Sequence, residues 1–586
     1  MAPRRGVRFV LIFIGAAVLV SMGGIVLMYL AIMRGPSVPE SATLVLRPGG
    51  DLQEVVPYDV VGQVFGREAN TVRGFVEMLR KAKRDPRIKT VLLRPASLQL
   101  PYWAKVQELR DAVLDFRKSG KTVVAFLEYG GDREYYLASA ASKVFLLPSS
   151  PLDLTGVASY EIFLRGAFDK IGAYPDFIHI GDYKSATNQL TEKGFTKAHR
   201  EMTESLNRDM YDQLVRGIAQ SRKKSEADVR ALVDQGPFVP EEALRVGLVD
   251  DLAYEDELDD RVPALRARTR DNWVEGSDYQ RSQGVGTTSA RSRIAVLYAV
   301  GTITSGKSAY DPLNGSTLGS DTFVQQIRRV RDDDSIKAIV LRIDSPGGSS
   351  IASDVIWREL MITREQKPSR PLITSMSDLA ASGGYYIALP GQVIVAQPAT
   401  LTGSIGIFTG KVAIGGTLDK IGVTRETVTA GANADLESPF TPFSPAQRAK
   451  MLQLMQGFYE DFVEKTAQSR KTTPERIDAV AQGRVWTGEQ AREHGLVDML
   501  GGLDTAVAVA KERAHIPANE EVELVEYPGR RSLYEALSDE LGTESASLWH
   551  GLLGRADARA VGAITVPVRL FQRGEPLALM PFTFVR

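Results

Sequence analysis

Hydrophobic and polar positions along the first half of the chain alternate between short apolar runs and a longer amphipathic stretch. Apolar runs at 90–94, 122–127 and 144–147 predict buried strands, and a helical pattern extends over 105–118. Gly, Pro and Asp residues bound these runs, which is typical of strands joined by helices. The pattern therefore predicts a parallel α/β fold for this half.

The same order of elements recurs in the second half. Runs at 338–343, 372–376 and 393–396 predict strands, and the stretch 352–365 predicts a helix between the first two. A second parallel α/β unit of similar size is expected, since a chain of 586 residues is long enough for more than one domain.

Local sequence identity indicates that the two halves are copies of one unit. The sequence Asp-Lys-Ile-Gly at 169–172 recurs at 419–422, an offset of 250 residues. The sequence Gly-Leu-Val-Asp at 247–250 recurs at 495–498, an offset of 248 residues. An internal repeat of this length predicts a tandem duplication of a whole domain.

The duplication divides the candidate chemistry between the copies. In this register Ser382 aligns with Asp132, and Lys184 aligns with Ala434. Each half keeps one reactive side chain where the other half has lost it. The sequence therefore predicts a single active site to which both halves contribute.

An uncharged segment near the N-terminus, residues 10–33, predicts a membrane anchor. A helix of that length measures about 36 Å, enough to cross a hydrocarbon core of about 30 Å. Three arginines precede the segment and one follows it, so we expect a cytoplasmic N-terminus and a body outside. A cleaved signal peptide is the alternative, but the apolar region is long and no clear small-residue cleavage site follows.

Composition narrows the chemistry of the body. The chain has no cysteine, which excludes disulfides, thiolate nucleophiles and cysteine-based metal sites. A net charge of −1 gives no basic surface for nucleic acid. None of the five histidines lies close in sequence to the serine motifs, so an activated serine needs another base. We expect neither a metal nor a cofactor.

Two glycine-containing segments of the second half lie between a predicted strand and a predicted helix. Ser382 stands in Ala-Ala-Ser-Gly-Gly, where small neighbours can expose its hydroxyl to a substrate. Gly347 and Gly348 stand in Ser-Pro-Gly-Gly, where bare backbone N–H groups can stabilise an oxyanion. Tight turns are the simpler alternative for both segments. The first-half equivalent of the second segment, 95–99, lacks the glycine pair, and this coordinated loss favours a shared site.

Lys184 follows a predicted strand at 177–180 in the first half. Most lysines are solvated, and a lysine serves as a general base only where burial lowers its pKa. Ser404, in the sequence Leu-Thr-Gly-Ser-Ile-Gly, aligns with Val157 of the first half and can orient a lysine amine by a hydrogen bond.

One segment fits a phosphate-binding loop and is rejected. Residues 301–308 match the Gly-x-x-x-x-Gly-Lys-Ser pattern, and a predicted strand at 294–299 precedes them. That loop needs a helix that begins at its Lys-Ser pair. Pro312 and the Asn-Gly pair at 314–315 forbid such a helix, so we expect no ATPase.

Taken together, the segments 183–186, 345–348, 381–385 and 402–406 resemble the signal peptide peptidase A family, also called protease IV, in its long duplicated form. The likeness extends from about 43 to 510. It implies a tandem repeat of two Clp-protease/crotonase-like domains after one transmembrane helix, and a serine peptidase with a Ser/Lys dyad. It also implies a homo-oligomer, a tetramer, on the outer face of the inner membrane, with hydrophobic peptides such as cleaved signal peptides as substrates.

The resemblance assigns a role to each motif residue. Ser382 is then the nucleophile, Lys184 the general base and Ser404 the residue that orients the lysine. The expected oxyanion hole is formed by the backbone N–H groups of Gly347, Gly348 and Gly383. Two alternatives stay open, a crotonase-type acyl-CoA enzyme and an inactive membrane scaffold.

The predicted domain organisation has six parts. They are a cytoplasmic N-terminus at 1–9, an anchor at 10–33, a repeat domain with the lysine at 43–278, a linker at 279–292, a repeat domain with the serine at 293–510, and a tail of unassigned role at 511–586.

Overall fold

A computed structural model of the chain describes most of the body. The described residues are 36–55, 71–265, 272–282, 292–311, 315–528, 576–580 and 584–585, together with 21, 23 and 24. The predicted anchor at 10–33 lies outside these residues, apart from the three isolated positions. Within the described ranges, no helix is both long and apolar enough to cross a bilayer.

The first half forms a parallel sheet flanked by helices. Its sheet has the strand order β10-β1-β2-β3-β5-β9, and every neighbouring pair is parallel. The strands are β1 (Ala42–Leu46), β2 (Ile88–Leu93), β3 (Thr122–Leu127), β4 (Gly130–Gly131), β5 (Lys143–Leu146), β6 (Leu152–Asp153), β7 (Ser159–Tyr160), β8 (Tyr174–Ile180), β9 (Asp251–Leu252) and β10 (Trp273–Glu275).

Helices cover this sheet and bury its apolar side chains. They are α1 (Val72–Arg84), α2 (Ala104–Arg117), α3 (Asp132–Ala138), α4 (Arg165–Ile171), α5 (Asn188–Thr191), α6 (Lys197–Arg222), α7 (Glu226–Val233), α8 (Pro240–Arg245), α9 (Leu258–Arg261) and α10 (Gly276–Arg281). Three 3₁₀ turns complete the half, at Ser185–Thr187, Glu255–Glu257 and Pro263–Leu265.

The second half repeats this plan. Its main sheet has the strand order β21-β19-β17-β15-β11-β23. Strand β18 also pairs with β17, and β22 pairs with β18. The strands are β11 (Ser292–Val300), β12 (Thr302–Thr304), β13 (Ala309–Asp311), β14 (Gly315–Gly319), β15 (Ile336–Ser345), β16 (Gly347–Ser349), β17 (Leu372–Ala381), β18 (Val393–Ala396), β19 (Leu401–Gly403), β20 (Ile407–Ala413), β21 (Val485–Thr487), β22 (Met499–Leu500), β23 (Val522–Tyr527), β24 (Leu577–Leu579) and β25 (Phe584–Val585).

Helices again pack on the sheet of this half. They are α11 (Ser320–Asp332), α12 (Ser350–Gln366), α13 (Gly383–Ala388), α14 (Gly415–Lys420), α15 (Pro445–Arg470), α16 (Pro474–Asp478), α17 (Gly488–Glu493) and α18 (Leu503–Arg513). The prediction of an α/β fold in each half is confirmed, with β3 and β18 at the predicted bounds. The main sheet of the second half departs from a purely parallel arrangement at β21, which pairs antiparallel with β19. The segment 301–308 leads into strand β13 and not into a helix.

The repeated sequences make repeated contacts. In the first half, the Tyr135 hydroxyl donates to the carbonyl oxygen of Leu248 at 2.7 Å. In the second half, the equivalent Tyr385 donates to the carbonyl oxygen of Leu496 at 2.9 Å. Both tyrosines are fully buried, and a buried hydroxyl needs a hydrogen-bond partner. Each finds that partner in the Gly-Leu-Val-Asp segment of its own half. The duplication in the sequence is therefore a duplication of structure.

A third sheet joins the two halves. Its order is β13-β14-β12-β16-β24-β20-β8, and all of its members except β8 come from the second half or the C-terminal segment. Strand β8 of the first half pairs antiparallel with β20 along its whole length, from Tyr174 opposite Ala413 to Ile180 opposite Ile407. The residues that follow Ile180 are thereby held against the second half.

Buried charges also join the halves. The guanidinium of Arg342, on β15, donates to the carboxylates of Glu54 at 2.8 Å and Glu108 at 2.6 Å. All three side chains are buried. Burial opposes ionisation of Glu54, but Arg342 lowers the pKa of that carboxyl to about 2. Such a cluster stabilises the contact between halves only while every charge keeps its partner.

The predicted linker and tail are partly folded. Tyr279, at the start of the predicted linker 279–292, lies in α10 and is fully buried, with its hydroxyl 3.2 Å from Asp85. This end of the segment therefore belongs to the packing of the first half. In the predicted tail, β23 adds to the main sheet of the second half beside β11, and β24 enters the joining sheet.

Candidate active site

Ser382 occupies a strained turn between β17 and α13. Strand β17 extends five residues beyond the predicted end at 376, because its pairing with β15 and β19 continues to Ala380 and Ala381. Ser382 follows with φ 56° and ψ −115°, a conformation that costs a non-glycine residue energy. Its N–H donates to the carbonyl oxygen of Gly403 at 2.8 Å, which holds the turn. A sharp strand-to-helix turn of this kind projects a serine hydroxyl out of the backbone.

Lys184 reaches Ser382 from the other half. It follows β8, and its Nζ lies 2.8 Å from the Oγ of Ser382. Close backbone packing holds the lysine in place, since the Tyr183 N–H donates to the carbonyl oxygen of Gln482 at 2.9 Å. Gly483, which follows Gln482, has no room for a side chain, because an added Cβ would lie 2.5 Å from the Lys184 Cα. The structure thus brings together the two residues that the repeat register assigned to different halves.

The environment of the Lys184 amine is dry and carries no opposite charge among its hydrogen-bond partners. The side chain is fully buried, and burial lowers its pKa well below the usual range of a lysine. Its described partners are the hydroxyl of Ser382 and the hydroxyl and carbonyl oxygens of Ser404. A buried amine without a counter-ion favours its neutral form, which has a lone pair to accept a proton.

Ser404 contacts the amine from a second side. Its Oγ lies 3.0 Å and its carbonyl oxygen 2.9 Å from the Nζ of Lys184. Ser404 has φ 51°, and its N–H donates to the carbonyl oxygen of Arg484 at 2.7 Å. The three contacts together direct the amine toward Ser382.

The glycine pair lies beside the serine turn. Gly347 has φ 99° and Gly348 φ 152°, conformations that favour glycine. The Gly347 N–H donates to the Oγ of Ser345 at 3.2 Å, so it is engaged within its own loop. The other members of the predicted set are Gly348, which pairs with Ala578 in the joining sheet, and Gly383, which directly follows Ser382.

A salt bridge between the halves supports both candidate catalytic loops, and no sequence pattern indicates it. The Nζ of Lys105, on α2, lies 2.7 Å from the carboxylate of Asp344, which precedes the glycine pair. The Lys105 N–H donates to Asp378, four residues before Ser382, at 2.9 Å. Burial raises the pKa of Asp378 to about 6 although Lys105 opposes the shift. The sequence predicts Lys105 only as the first residue of a helix. Hydrophobic periodicity along the chain does not show that its side chain has a charged partner in the other repeat.

The equivalent positions in the repeat have no such chemistry. The Asp132 carboxylate accepts hydrogen bonds from the N–H groups of Thr155 and Gly156, each at 2.9 Å, and so caps a loop. Ala434, the counterpart of the lysine, lies exposed in a turn. In the part of the chain that the structure describes, no group of His, Asp or Glu side chains is arranged to hold a metal ion.

Comparison with known proteins identifies the family of the chain. The family model Peptidase family S49 matches twice, at residues 115–267 and 364–517, and the two matches cover more than half of the chain. The chain is 38% identical over 454 residues to the chloroplastic serine protease SPPA of Arabidopsis thaliana, which covers 76% of this chain and 66% of that protein.

Two bacterial proteins are similar as well. Protease 4 of Salmonella typhi is 34% identical over 469 residues, which covers 78% of this chain and 74% of that protein. A protein of Enterococcus faecium that bears the name signal peptide peptidase SppA is 30% identical over 239 residues, 41% of this chain and 67% of that protein. A doubled family match with a serine at the junction of the copies leads to one assignment: the chain belongs to peptidase family S49 and is a serine protease of the long, duplicated kind.

Proposed function

We propose that this protein hydrolyses peptides with a Ser/Lys dyad formed by Ser382 and Lys184. The observation that carries the proposal is the 2.8 Å contact between the Lys184 Nζ and the Ser382 Oγ, with both side chains fully buried. A lysine replaces histidine as the base in known variants of the serine protease triad. Burial supports that role, because it lowers the pKa of Lys184.

The geometry supports a two-step reaction. Lys184 accepts the proton of the Ser382 hydroxyl as the Oγ bonds to the carbonyl carbon of the substrate. The N–H groups of Gly348 and Gly383 stabilise the oxyanion, and the Lys184 ammonium then protonates the leaving amine. Water attacks the acyl-enzyme in the second step, with Lys184 again as the base. Ser404 keeps the amine directed at Ser382 throughout.

Hydrophobic peptides, including cleaved signal peptides, are the proposed substrates. The name of the Enterococcus relative supports this class, and so does the apolar lining of the joining sheet, where Phe177 and Phe408 form a buried cluster. We also propose a Clp-protease/crotonase-like fold for each half and a homo-oligomer. An N-terminal anchor at 10–33 would hold that oligomer on the outer face of the inner membrane.

The two alternatives are less well supported. An acyl-CoA enzyme does not require a neutral buried lysine against a serine, and the family match is to peptidases. An inactive scaffold does not require the strained φ of 56° at Ser382. Backbone strain of this kind persists only where the surrounding structure imposes it, and it is common at active sites.

A serine-reactive fluorophosphonate probe tests the proposal. The wild type should be labelled once, at Ser382, and Ser382→Ala should lose both the label and the hydrolysis of an internally quenched apolar peptide. Lys184→Ala should lose peptide hydrolysis by about 10⁴-fold or more, since members of a catalytic unit each cost that much when removed. Labelling of Ser382→Ala at the wild-type rate, or full inhibition by a metal chelator, would refute the dyad.

A further inference from the structure

Two strands of the second half, β15 and β17, end beside the candidate active site, and their pairing is irregular just before it. Ile343 of β15 lies opposite Met376 of β17. The next pair is Ser345 with Ala380, so β17 advances four residues (376 to 380) where β15 advances two (343 to 345). Such a bulge bends a strand and redirects the residues that follow it. The glycine pair and Ser382 both follow this bulge, so their relative position depends on how it is held.

A side chain of the first half contacts both strands at this bulge. The Nζ of Lys105 lies 2.7 Å from one carboxylate oxygen of Asp344 and 3.7 Å from the carboxylate of Asp378. The other oxygen of Asp344 accepts the N–H of Leu379 at 3.2 Å, and Asp378 accepts the N–H of Lys105 at 2.9 Å. Both aspartates lie inside the irregular stretch. Lys105 therefore links the end of β15 to the end of β17.

Lys105 and Lys184, both from the first half, differ in their charge. Burial opposes the charge of Lys105, but Asp344 and Asp378 raise its pKa above the usual range of a lysine. Burial lowers the pKa of Lys184, whose described hydrogen-bond partners include no carboxylate. Lys105 therefore keeps its proton and cannot serve as a second base, so its ion pair beside the site needs a different explanation.

The members of this ion pair are divided between the copies, as the dyad is. The sequence Ile-Lys at 88–89 matches Ile-Lys at 336–337, an offset of 248, and this register aligns Asp344 with Ala96. Helix α12, the counterpart of α2, contains no lysine. The carboxylate is thus found in the copy that has the serine and the glycine pair, and the lysine in the copy that has the base. This division favours a role in the shared site over a role in the packing of each copy.

We propose that Lys105 is a positioning residue, which holds the glycine pair and the serine turn in the relative position that the reaction needs. The inference rests on the proposed function for its kinetic consequence, whereas the order of the two loops can be measured without catalysis. Contact with the first half then supplies the second half with a base and with an aligned oxyanion hole. The effect falls on the transition state, because the oxyanion forms only as the serine attacks.

Lys105→Met tests this role in the full chain, since methionine keeps an unbranched apolar side chain and removes the charge. A displacement of about 1 Å in a catalytic group costs on the order of 10² in rate. We expect kcat for a quenched apolar peptide to fall about a hundredfold, while KM stays within about a factor of two. Lys83→Met is the matched control and should keep the wild-type kcat, because Lys83 forms its 2.8 Å ion pair with Asp115 inside the first half.

A second variant removes the charge from the other side of the pair. Asp344→Asn keeps an acceptor for the Leu379 N–H, and it serves where Lys105→Met fails to fold. Its kcat should fall by a similar factor. The double variant Lys105→Met/Asp344→Asn should stay within about threefold of the less active single variant, because members of one unit are not additive. Two independent effects would instead multiply to a loss of about 10⁴.

Amide hydrogen exchange measures the order of the loops without catalysis. In Lys105→Met, exchange at 345–349 and 377–384 should be faster than in the wild type by about tenfold or more, since these segments lose a link between them. Exchange in β11, which lies on the far side of β15, should be unchanged. If exchange rises in this way although the wild type hydrolyses nothing, the proposed function fails and the positioning of the two loops stands.

Three results overturn the inference. A Lys105→Met chain that unfolds at a lower temperature but keeps the wild-type kcat would make Lys105 a packing residue only, and the proposed function would stand. Unchanged exchange at both loops would show that Lys105 does not hold them. A double variant whose loss of kcat equals the product of the two single losses would show that Lys105 and Asp344 act separately.

Discussion

Replacement of Gly483 by alanine tests whether the position of Lys184 controls the reaction. An alanine Cβ at Gly483 would lie 2.5 Å from the Cα and the N of Lys184 and 2.6 Å from its Cβ. Non-bonded carbon atoms prefer separations of about 3.5–4.0 Å. The lysine backbone must therefore shift by about 1 Å, because the neighbouring atoms are backbone and cannot rotate away.

The expected loss of activity follows from that shift. A displacement of about 1 Å in a catalytic group costs on the order of 10² in rate, which is about 2.7 kcal/mol in the activation free energy. Gly483→Ala also strains the backbone, because Gly483 has φ +78°. A left-handed alanine costs about 1–2 kcal/mol of folding free energy. We therefore expect kcat to fall about a hundredfold with a modest loss of stability.

Gly422→Ala separates these two effects. Gly422 has nearly the same backbone angle, φ +77°, but an added Cβ meets nothing within 4 Å. Gly422→Ala should lose only the stability that the left-handed backbone costs, and Gly483→Ala should lose more in thermal unfolding because its Cβ also displaces backbone atoms. Gly422→Ala should keep the wild-type kcat on a quenched peptide. If the kcat values of Gly483→Ala and Gly422→Ala agree within a factor of two, the position of Lys184 does not limit the reaction and the dyad is wrong.

Three further predictions concern the site and the contact between halves. Lys184→Met should have a larger free energy of unfolding than the wild type, and this difference should shrink as pH rises toward about 10.4. The reason is that the unfolded wild type binds a proton in this range that the folded lysine has released, so the wild type gains stability as pH rises. A pH-independent difference in urea melts would contradict the depressed pKa. Ser404→Ala should lower kcat about fivefold and keep KM, since one neutral hydrogen bond to the base is worth about 1 kcal/mol; loss of all activity would make Ser404 more than an orienting residue. Arg342→Met should cost about 3–5 kcal/mol in urea melts because two buried glutamates lose their partner, whereas Arg328→Met, at a largely exposed arginine, should cost under about 1 kcal/mol.

The sequence by itself determined the architecture of each half and the residues of the site. Apolar runs of strand length gave β3 and β18 at their observed bounds, because burial of a parallel strand leaves a continuous apolar pattern. Comparison of the two copies singled out Ser382 and Lys184, since each is unmatched in the other repeat. These inferences needed only local periodicity and alignment of the chain with itself.

Only the tertiary structure decided how those residues meet. Pairing of β8 with β20 brings Lys184 across to the second half, and pairing between strands more than 200 positions apart leaves no mark on local periodicity. Burial of the amine, which lowers its pKa toward that of a general base, depends on every residue packed around it. The same holds for Lys105, whose salt bridge exists only through a partner distant in the chain.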